Sequence, residues 1–505
     1  MSKTSIYSKK LTEFRQLIKK IEYLKSAVNS FMYWDKITYM PKSGIEYRSQ
    51  MMSFFADEQY RLLASPEFRE YMEYFLGNKK NDLVTNAMLK RIVRSSGFIN
   101  KVPEEEYQRY IELIARSEQI WQQARGENNF DLLKPYIEEV FSTFRRFAEY
   151  WGYENVPYDA MLGYYEEGLT VEKVDALICE LKPFLIELLA YTREKDVVFD
   201  GKASNEHYMM SKDDQEKLWE LVLSKIGFDF DAGRIDIGAH PMPLAISPDD
   251  VRIVNTYKES DFRAGLFNAL HSGGKGIYQQ SISKDLLGSF LCDVPSSATE
   301  ECIGRFYENI IGRSKGFWNF FFDGIKELSP EMKSLNKESL FKNVNRANPS
   351  SVRLEADQLT FLLHIIIRYE LEKEIFNGSL KVEDIEAAWS QKTMEYLCVE
   401  PESANEGILQ DIHWAAGYVG YFPTYIVSEL TSAQLATSLE KECGVLDELV
   451  EAGNFNLINQ WLTEKVYQWG AIYNIDELTR KATGEPLSSH YYMDYLRKKI
   501  SEVYR

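Results

Sequence analysis

Apolar side chains recur every three to four positions along most of this chain. In LLKPYIEEVFSTFRRFAEYWG (132–152) and VEKVDALICELKPFLIELLAYTREK (171–195) that spacing collects them on one side of a 3.6-residue repeat, which predicts long amphipathic helices. Residues that stop helices fall between such stretches: Met40-Pro41, Gly126, Asn155-Val156-Pro157, Gly201, PMPLAISPDD, Asn348-Pro349 and Gly484-Glu485-Pro486. One segment departs from the helical pattern. From Phe228 to Tyr257 polar and β-branched residues alternate around three prolines, predicting a short hairpin or small sheet directly ahead of LFNALHSGGKGIYQQ (266–280). No repeat of 20 to 50 residues and no low-complexity linker divides the sequence. The expectation is one mostly helical, all-α domain over 1–505, with a small β element at about 228–257 and a helix at about 262–280.

Composition narrows the class of partner. With 45% hydrophobic and 14% aromatic residues in 505, the chain buries a large core and has rings to line a cleft. Its formal charge of -18, from 77 acidic and 59 basic residues, argues against nucleic acid, since no basic patch offsets the field. The longest apolar run, near LTFLLHIII, is far short of a membrane span, and the N-terminus has no export signal. Five scattered cysteines without a CxxC pair fit a reducing compartment, so the expectation is a cytoplasmic protein.

Histidine is scarce, with six in all, and three keep polar company: His240 before a proline, His271 in HSGGK, and His413 in GILQDIHWAAGYVGYFPTY. His364, inside LTFLLHIIIRY, reads as a core residue. A helix with His at i and i+4 holds zinc between two imidazoles, and a Glu at i+1 takes a proton from the metal-bound water. Here the series runs His271, Ser272, Gly273, Gly274, Lys275. The first ligand is present. A hydroxyl stands for the base and an ammonium for the second ligand. Taken alone, HSGGK is unspecific, and GGKG lacks the spacing of a phosphate loop.

The surroundings are specific. WDKITYMPKSGIEYR, IWQQARGENNF, VPYDAMLGYYEEG, TEECIGRFYENIIGRSKGFW, SVRLEADQLTFLLH, the GILQDIHW stretch and KATGEPLSSHYY occur in this order. Together they resemble the carboxypeptidase Taq family, metal-dependent peptidases that remove single residues from peptide C-termini, over nearly the whole chain. The resemblance implies a zincin-like, two-lobed helical body around a deep central groove, a homodimer, and a peptide or small carboxylate ligand. It also implies site residues. Glu301 is then the carboxylate ligand beside His271. The family's HPF, DxRxT and IRxxAD elements fall on His240, on Asp250 with Arg252, and on Arg353 with Asp357. Arg252 and Arg353 would hold a terminal carboxylate, which suits a forked guanidinium. GxxQDxHW is complete as Gly407, Gln410, Asp411, His413 and Trp414, and His413 with Tyr421 or Tyr425 would stabilise an oxyanion.

The departures fall where the chemistry would be. HExxH is HSGGK, the Glu301 motif reads EECI, the DxRxT threonine is Val254, and a family histidine in WLxExxHxxG is Tyr467. Losing a catalytic acid/base typically costs a factor of about 100 to 10,000. The expectation is therefore an inactive or strongly impaired homologue without a cofactor, in which Lys275 pairs with Glu301. Two alternatives remain open at the level of sequence. One is an active enzyme holding zinc or another divalent cation with Glu300 or Asp250 recruited. The other is a structural or partner-binding protein whose polar residues only hold helices together.

Overall fold

The computed structural model describes residues 3–196, 208–238 and 241–505. His240 and Gly201 lie outside them. The chain is mainly helical and folds into two compact units, each assembled from three segments. One comprises Met1–Arg94, Glu206–Lys337 and Leu435–Pro486; the other comprises Ser95–Asn205, Glu338–Gln434 and Leu487–Arg505.

The amphipathic stretches fold as their periodicity predicts. Helix Lys134–Trp151 buries Ile137, Val140, Phe141, Phe144, Phe147 and Ala148, an unbroken i, i+3, i+4, i+7 face. Helix Val171–Lys195 starts where Thr170 accepts the Lys173 amide, and it buries Val174, Ile178, Leu181, Leu185 and Leu189. Gly484, at φ 81°, ends helix Ile475–Thr483. Gly126 lies one residue inside helix Glu104–Glu127, which stops instead at the left-handed Asn128.

In the first unit the segment expected to be β forms three strands: β1 (Gly233–Ile237), β2 (Met242–Ser247) and β3 (Asp250–Asn255). Their order is β1-β3-β2, with β1 parallel and β2 antiparallel to the central β3. Pro243 is tolerated because β2 is an edge strand. Helix Phe262–Ser281 packs against β3 and against helices Lys212–Ile226 and Ser297–Arg305. Of its 20 residues 14 are buried, so it is packed from all sides rather than along a stripe.

Two of its glycines make that approach possible. A Cβ at Gly274 would stand 2.5 Å from Tyr307 Cδ2 and 2.9 Å from Tyr307 Cβ, while one at Gly273 would meet Leu223 Cδ2 at 2.2 Å. Glycine in a helix costs about 1 kcal/mol against alanine, and here that loss is offset by neighbours filling the space.

The second unit has a matching centre in helix Phe361–Asn377, with 13 of 17 residues buried, among them Arg368 and Glu372. Each unit is thus organised on one enclosed helix that carries charge. Among the described residues no helix is long and apolar enough to cross a membrane.

Substituting glycines separates close packing from helix propensity. Gly274→Ala should destabilise the protein by about 1–3 kcal/mol through overpacking against Tyr307. Gly97→Ala, in helix Leu83–Asn100 with nothing within 4 Å, should be neutral or stabilising by up to about 1 kcal/mol. Urea denaturation of the two variants checks the opposite signs.

Candidate functional site

The first cluster is built by helix periodicity. His271 and Lys275 sit one turn apart on helix Phe262–Ser281, and Glu301 reaches them from helix Ser297–Arg305. Lys275 Nζ donates to Glu301 Oε1, with Lys275 only 6% exposed, so the expected ion pair is present. His271 spans two carboxylates, its Nε2 3.4 Å from Glu301 Oε2 and its Nδ1 3.0 Å from Glu308 Oε2. Glu308 lies in a π-helical turn, Phe306–Ile311, that continues the Glu301 helix. Arg305 Nη1 donates to Glu308 Oε2 at 3.2 Å, and Arg313 Nη2 is 3.6 Å from Oε1.

Burial opposes charge on both carboxylates, and the neighbouring cations overrule it. Lys275 and then His271 hold Glu301 well below the usual carboxylate range, and Arg305 with His271 holds Glu308 at about 2. Glu300, half-buried beside Glu301, is shifted the other way, mainly by desolvation.

These residues do not fit a divalent cation. Two ligands of one tetrahedral zinc stand about 3.3 Å apart, so the 3.4 Å between His271 Nε2 and Glu301 Oε2 preserves that edge of a site. The next position is an ammonium already bonded to one of the two. Ser272, 1% exposed, offers a hydroxyl where a base would stand. Among the described residues no group of three or more His, Cys, Asp or Glu is arranged to hold a metal ion.

Arg252, on β3 in the same unit, is held by Asp250 two residues away on its own strand, with Nε–Oδ1 at 2.9 Å and Nη2–Oδ2 at 3.0 Å. The register sets it beside Arg234, whose own partner is Asp236. Both guanidiniums lie over the Trp34 ring, at 4.7 Å and 5.4 Å. A cavity of about 350 Å³ opens here, lined by Met32, Trp34, Asp35, Arg48, Met51 and Arg252. It is lined by none of the residues of the His271 cluster.

The second unit carries the other cluster. Arg353 grips Asp411 through Nε at 3.1 Å and Nη2 at 2.7 Å, and the fully buried Arg368 donates its Nε to the other oxygen at 2.7 Å. Gln410 Oε1 accepts from the Arg353 amide and from Arg368 Nη2, while its Nε2 donates to Ser351 O and Glu406 O, so its whole amide is engaged. Asp357 accepts from the amides of Asn348, Leu359 and Thr360 and from the Thr360 hydroxyl, holding the turn ahead of helix Phe361–Asn377. His413 stacks on Tyr421 at 5.8 Å and packs against Phe422 at 4.5 Å. Its Nδ1 is 3.8 Å from Asp411 Oδ1 and has no hydrogen-bond partner among the described residues. Tyr421 in turn contacts Tyr425 edge-on at 5.5 Å.

Opposed forces set the charges. Burial resists ionisation of Asp411, yet Arg368 and Arg353 hold it far below its ordinary value. Burial lowers His413 to about 4, with Asp411 opposing and both arginines reinforcing. Burial raises Glu372 to about 7 although it accepts from Trp414, Gly420 and Tyr158.

Sequence reading missed Glu308, Arg305, Arg313, Arg368 and Glu372. The signal was present as Glu301, Arg305 and Glu308 at i, i+4 and i+7, and as Arg368 and Glu372 at i, i+4 within an apolar run. His364 is buried as expected, though its Nε2 lacks a partner among the described residues.

The shift of His413 has a measurable sign. Its folded pKa of about 4 lies below the unfolded value of about 6.5, so its contribution is complete above pH 6.5 and is lost as pH falls towards 4. Glu372 runs the other way, its contribution complete below about 4.5 and lost as pH rises through 7. Melting temperatures of His413→Gln should therefore fall less between pH 6.5 and 4 than those of the wild type; parallel curves would refute a neutral His413.

The comparisons with known proteins agree with this architecture. The Carboxypeptidase Taq (M32) metallopeptidase family model matches residues 13–500. Carboxypeptidase 1 of Bacillus subtilis is 38% identical over 498 residues, covering 97% of this chain and 98% of the relative. Thermostable carboxypeptidase 1 of Pyrococcus furiosus is 33% identical over 480 residues, covering 93% and 94%. A solved structure of Pyrococcus furiosus carboxypeptidase superposes with a TM-score of 0.92 at 31% identity, covering 97% of this chain and 99% of that one. An extended match of this kind, carried by sequence and fold together, means that the chain belongs to the carboxypeptidase Taq metallopeptidase family.

Proposed function

We propose that this chain is a member of the family that binds peptides or small ligands by a carboxylate and has lost, or nearly lost, their hydrolysis. A single observation carries the reading: Lys275 Nζ is bonded to Glu301 where a second imidazole ligand would stand. The charge count supports it. Relative to an HExxH helix, lysine in place of a neutral histidine adds one positive charge, and serine in place of glutamate removes one negative charge. The sum is two units, the charge a zinc ion would bring. On this reading the site holds no metal because the side chains already supply its charge. An uncompensated buried carboxylate would otherwise be costly.

The binding half of the proposal rests on the guanidiniums. Arg353 and Arg368 share the carboxylate of Asp411, with Glu372 one turn from Arg368, and their forked guanidinium donors suit an incoming anion. His413 and Tyr425 would face that ligand rather than a tetrahedral intermediate. We further propose a cytoplasmic homodimer. Its support is five cysteines outside any disulfide and the helix Ile45–Leu63, which has no buried residue and exposes Tyr47, Phe54 and Tyr60 at 72, 59 and 72%.

Restoring the missing groups tests the reading. The double variant Ser272→Glu, Lys275→His should bind one zinc per chain by calorimetry and gain about 2.7 kcal/mol of stability at a zinc concentration 100 times its Kd. Its release of C-terminal residues from a blocked dipeptide should exceed that of the wild type by at least about 100-fold. A wild-type rate equal to that of the double variant would instead establish an active enzyme with a non-standard site. Light scattering on the same samples reports the dimer, and a mass of 58.8 kDa at every concentration would contradict it.

A further inference from the structure

Five rings in the second unit form a continuous series that ends on a guanidinium. Tyr164 meets Tyr165 edge-on at 5.0 Å, and Tyr165 meets Tyr421 at 5.3 Å. Tyr421 stacks on His413 at 5.8 Å, His413 packs on Phe422 at 4.5 Å, and the Arg353 guanidinium lies 5.8 Å from the Phe422 ring. A sixth ring, Tyr418, flanks the middle, 5.8 Å from Tyr421 and 6.0 Å from His413.

The exposure along the series is graded. Tyr164 and Tyr418 are 44% and 47% exposed, His413 is one-fifth exposed, and Phe422 and Arg353 are buried at 1% and 9%. Tyr164 is held by stacking on Trp151 at 5.3 Å, whereas Tyr418 has nearly half its surface open and leans on Tyr421 and His413, the reachable outer ring that a binding strip needs. Tyrosine suits such a surface, offering a broad apolar face at small cost in side-chain entropy and a phenol that tolerates water. At the buried end stand the guanidiniums of Arg353 and Arg368, which share Asp411. Apolar rings leading inward to an anion-favouring end match one kind of ligand, an extended peptide with its C-terminal carboxylate foremost.

We propose that Tyr164, Tyr418 and Tyr421 form a side-chain strip that selects peptides carrying an aromatic or large apolar residue just ahead of the free C-terminal residue. The inference rests on the carboxylate-binding reading of Arg353 and adds to it the class of peptide bound. Tyr418 is the specificity-determining position most open to test, since it is half exposed and its loss leaves the core intact.

Calorimetry with two acetylated tripeptides, Ala-Phe-Leu and Ala-Ala-Leu, and with the C-terminal amide of the first, separates the outcomes. The wild type should bind the Phe peptide more tightly than the Ala peptide. Tyr418→Ala should weaken the Phe peptide by about three- to tenfold while leaving the Ala peptide within twofold, and Tyr418→Phe should restore the wild-type value. Equal binding of the Phe peptide by the wild type and Tyr418→Ala overturns the strip, and if Arg353→Ala still abolishes that binding, the carboxylate reading survives without it. An amide that binds as well as the acid, or the absence of binding by either acid, overturns the carboxylate reading and the strip with it.

Discussion

A cation removed from water needs a carboxylate within hydrogen-bond reach, or the desolvation of its charge goes uncompensated. Both units are organised around that requirement. In the first, the enclosed helix Phe262–Ser281 carries Lys275 into a place only 6% exposed, and Glu301 answers it. In the second, the enclosed helix Phe361–Asn377 carries Arg368, and Asp411 answers it while also holding Arg353. Removing one partner of such a pair typically costs about 3–5 kcal/mol, as much as a large core truncation. That cost is the penalty of a charge left buried and unpaired, so the pairs dictate which partner each helix must face.

The two clusters differ in how their cations are met. Around His271 the cations Lys275, Arg305 and Arg313 are met by Glu301 and Glu308, with Glu300 beside them. Around Asp411 two guanidiniums share one carboxylate, and Glu372 lies one turn from Arg368. Glu308 has a further role. It meets His271 at Nδ1, the kind of partner that holds a ligating imidazole in its tautomer, and Lys275 lies one turn further along the same helix.

Much of this was legible in the sequence. The 3.6-residue period located the long helices, the polar and β-branched alternation located β1 to β3, and the i, i+4 spacing put Lys275 on the same face as His271. What periodicity does not encode is pairing across elements. Nothing local says that Asp411 answers two arginines, one of them 43 positions away, or that a π-helical turn aims Glu308 at His271. The glycines of HSGGK, unspecific as a motif, acquire their reason only from Tyr307 and Leu223 standing where their side chains would be. Gln410 and Asp357, which the resemblance offers as ligand-binding residues, have their polar atoms engaged by the protein itself, Gln410 by Ser351, Arg353, Glu406 and Arg368 and Asp357 by the turn around it.

The central claim is that Lys275 does the electrostatic work a divalent cation does elsewhere in the family. Its most direct test is to equilibrate the purified wild-type chain with excess zinc or cobalt, remove free metal, and count bound metal per chain by elemental mass spectrometry. The account predicts far less than one ion per chain. One tightly held ion per chain, lost in His271→Ala and Glu301→Ala, would contradict it.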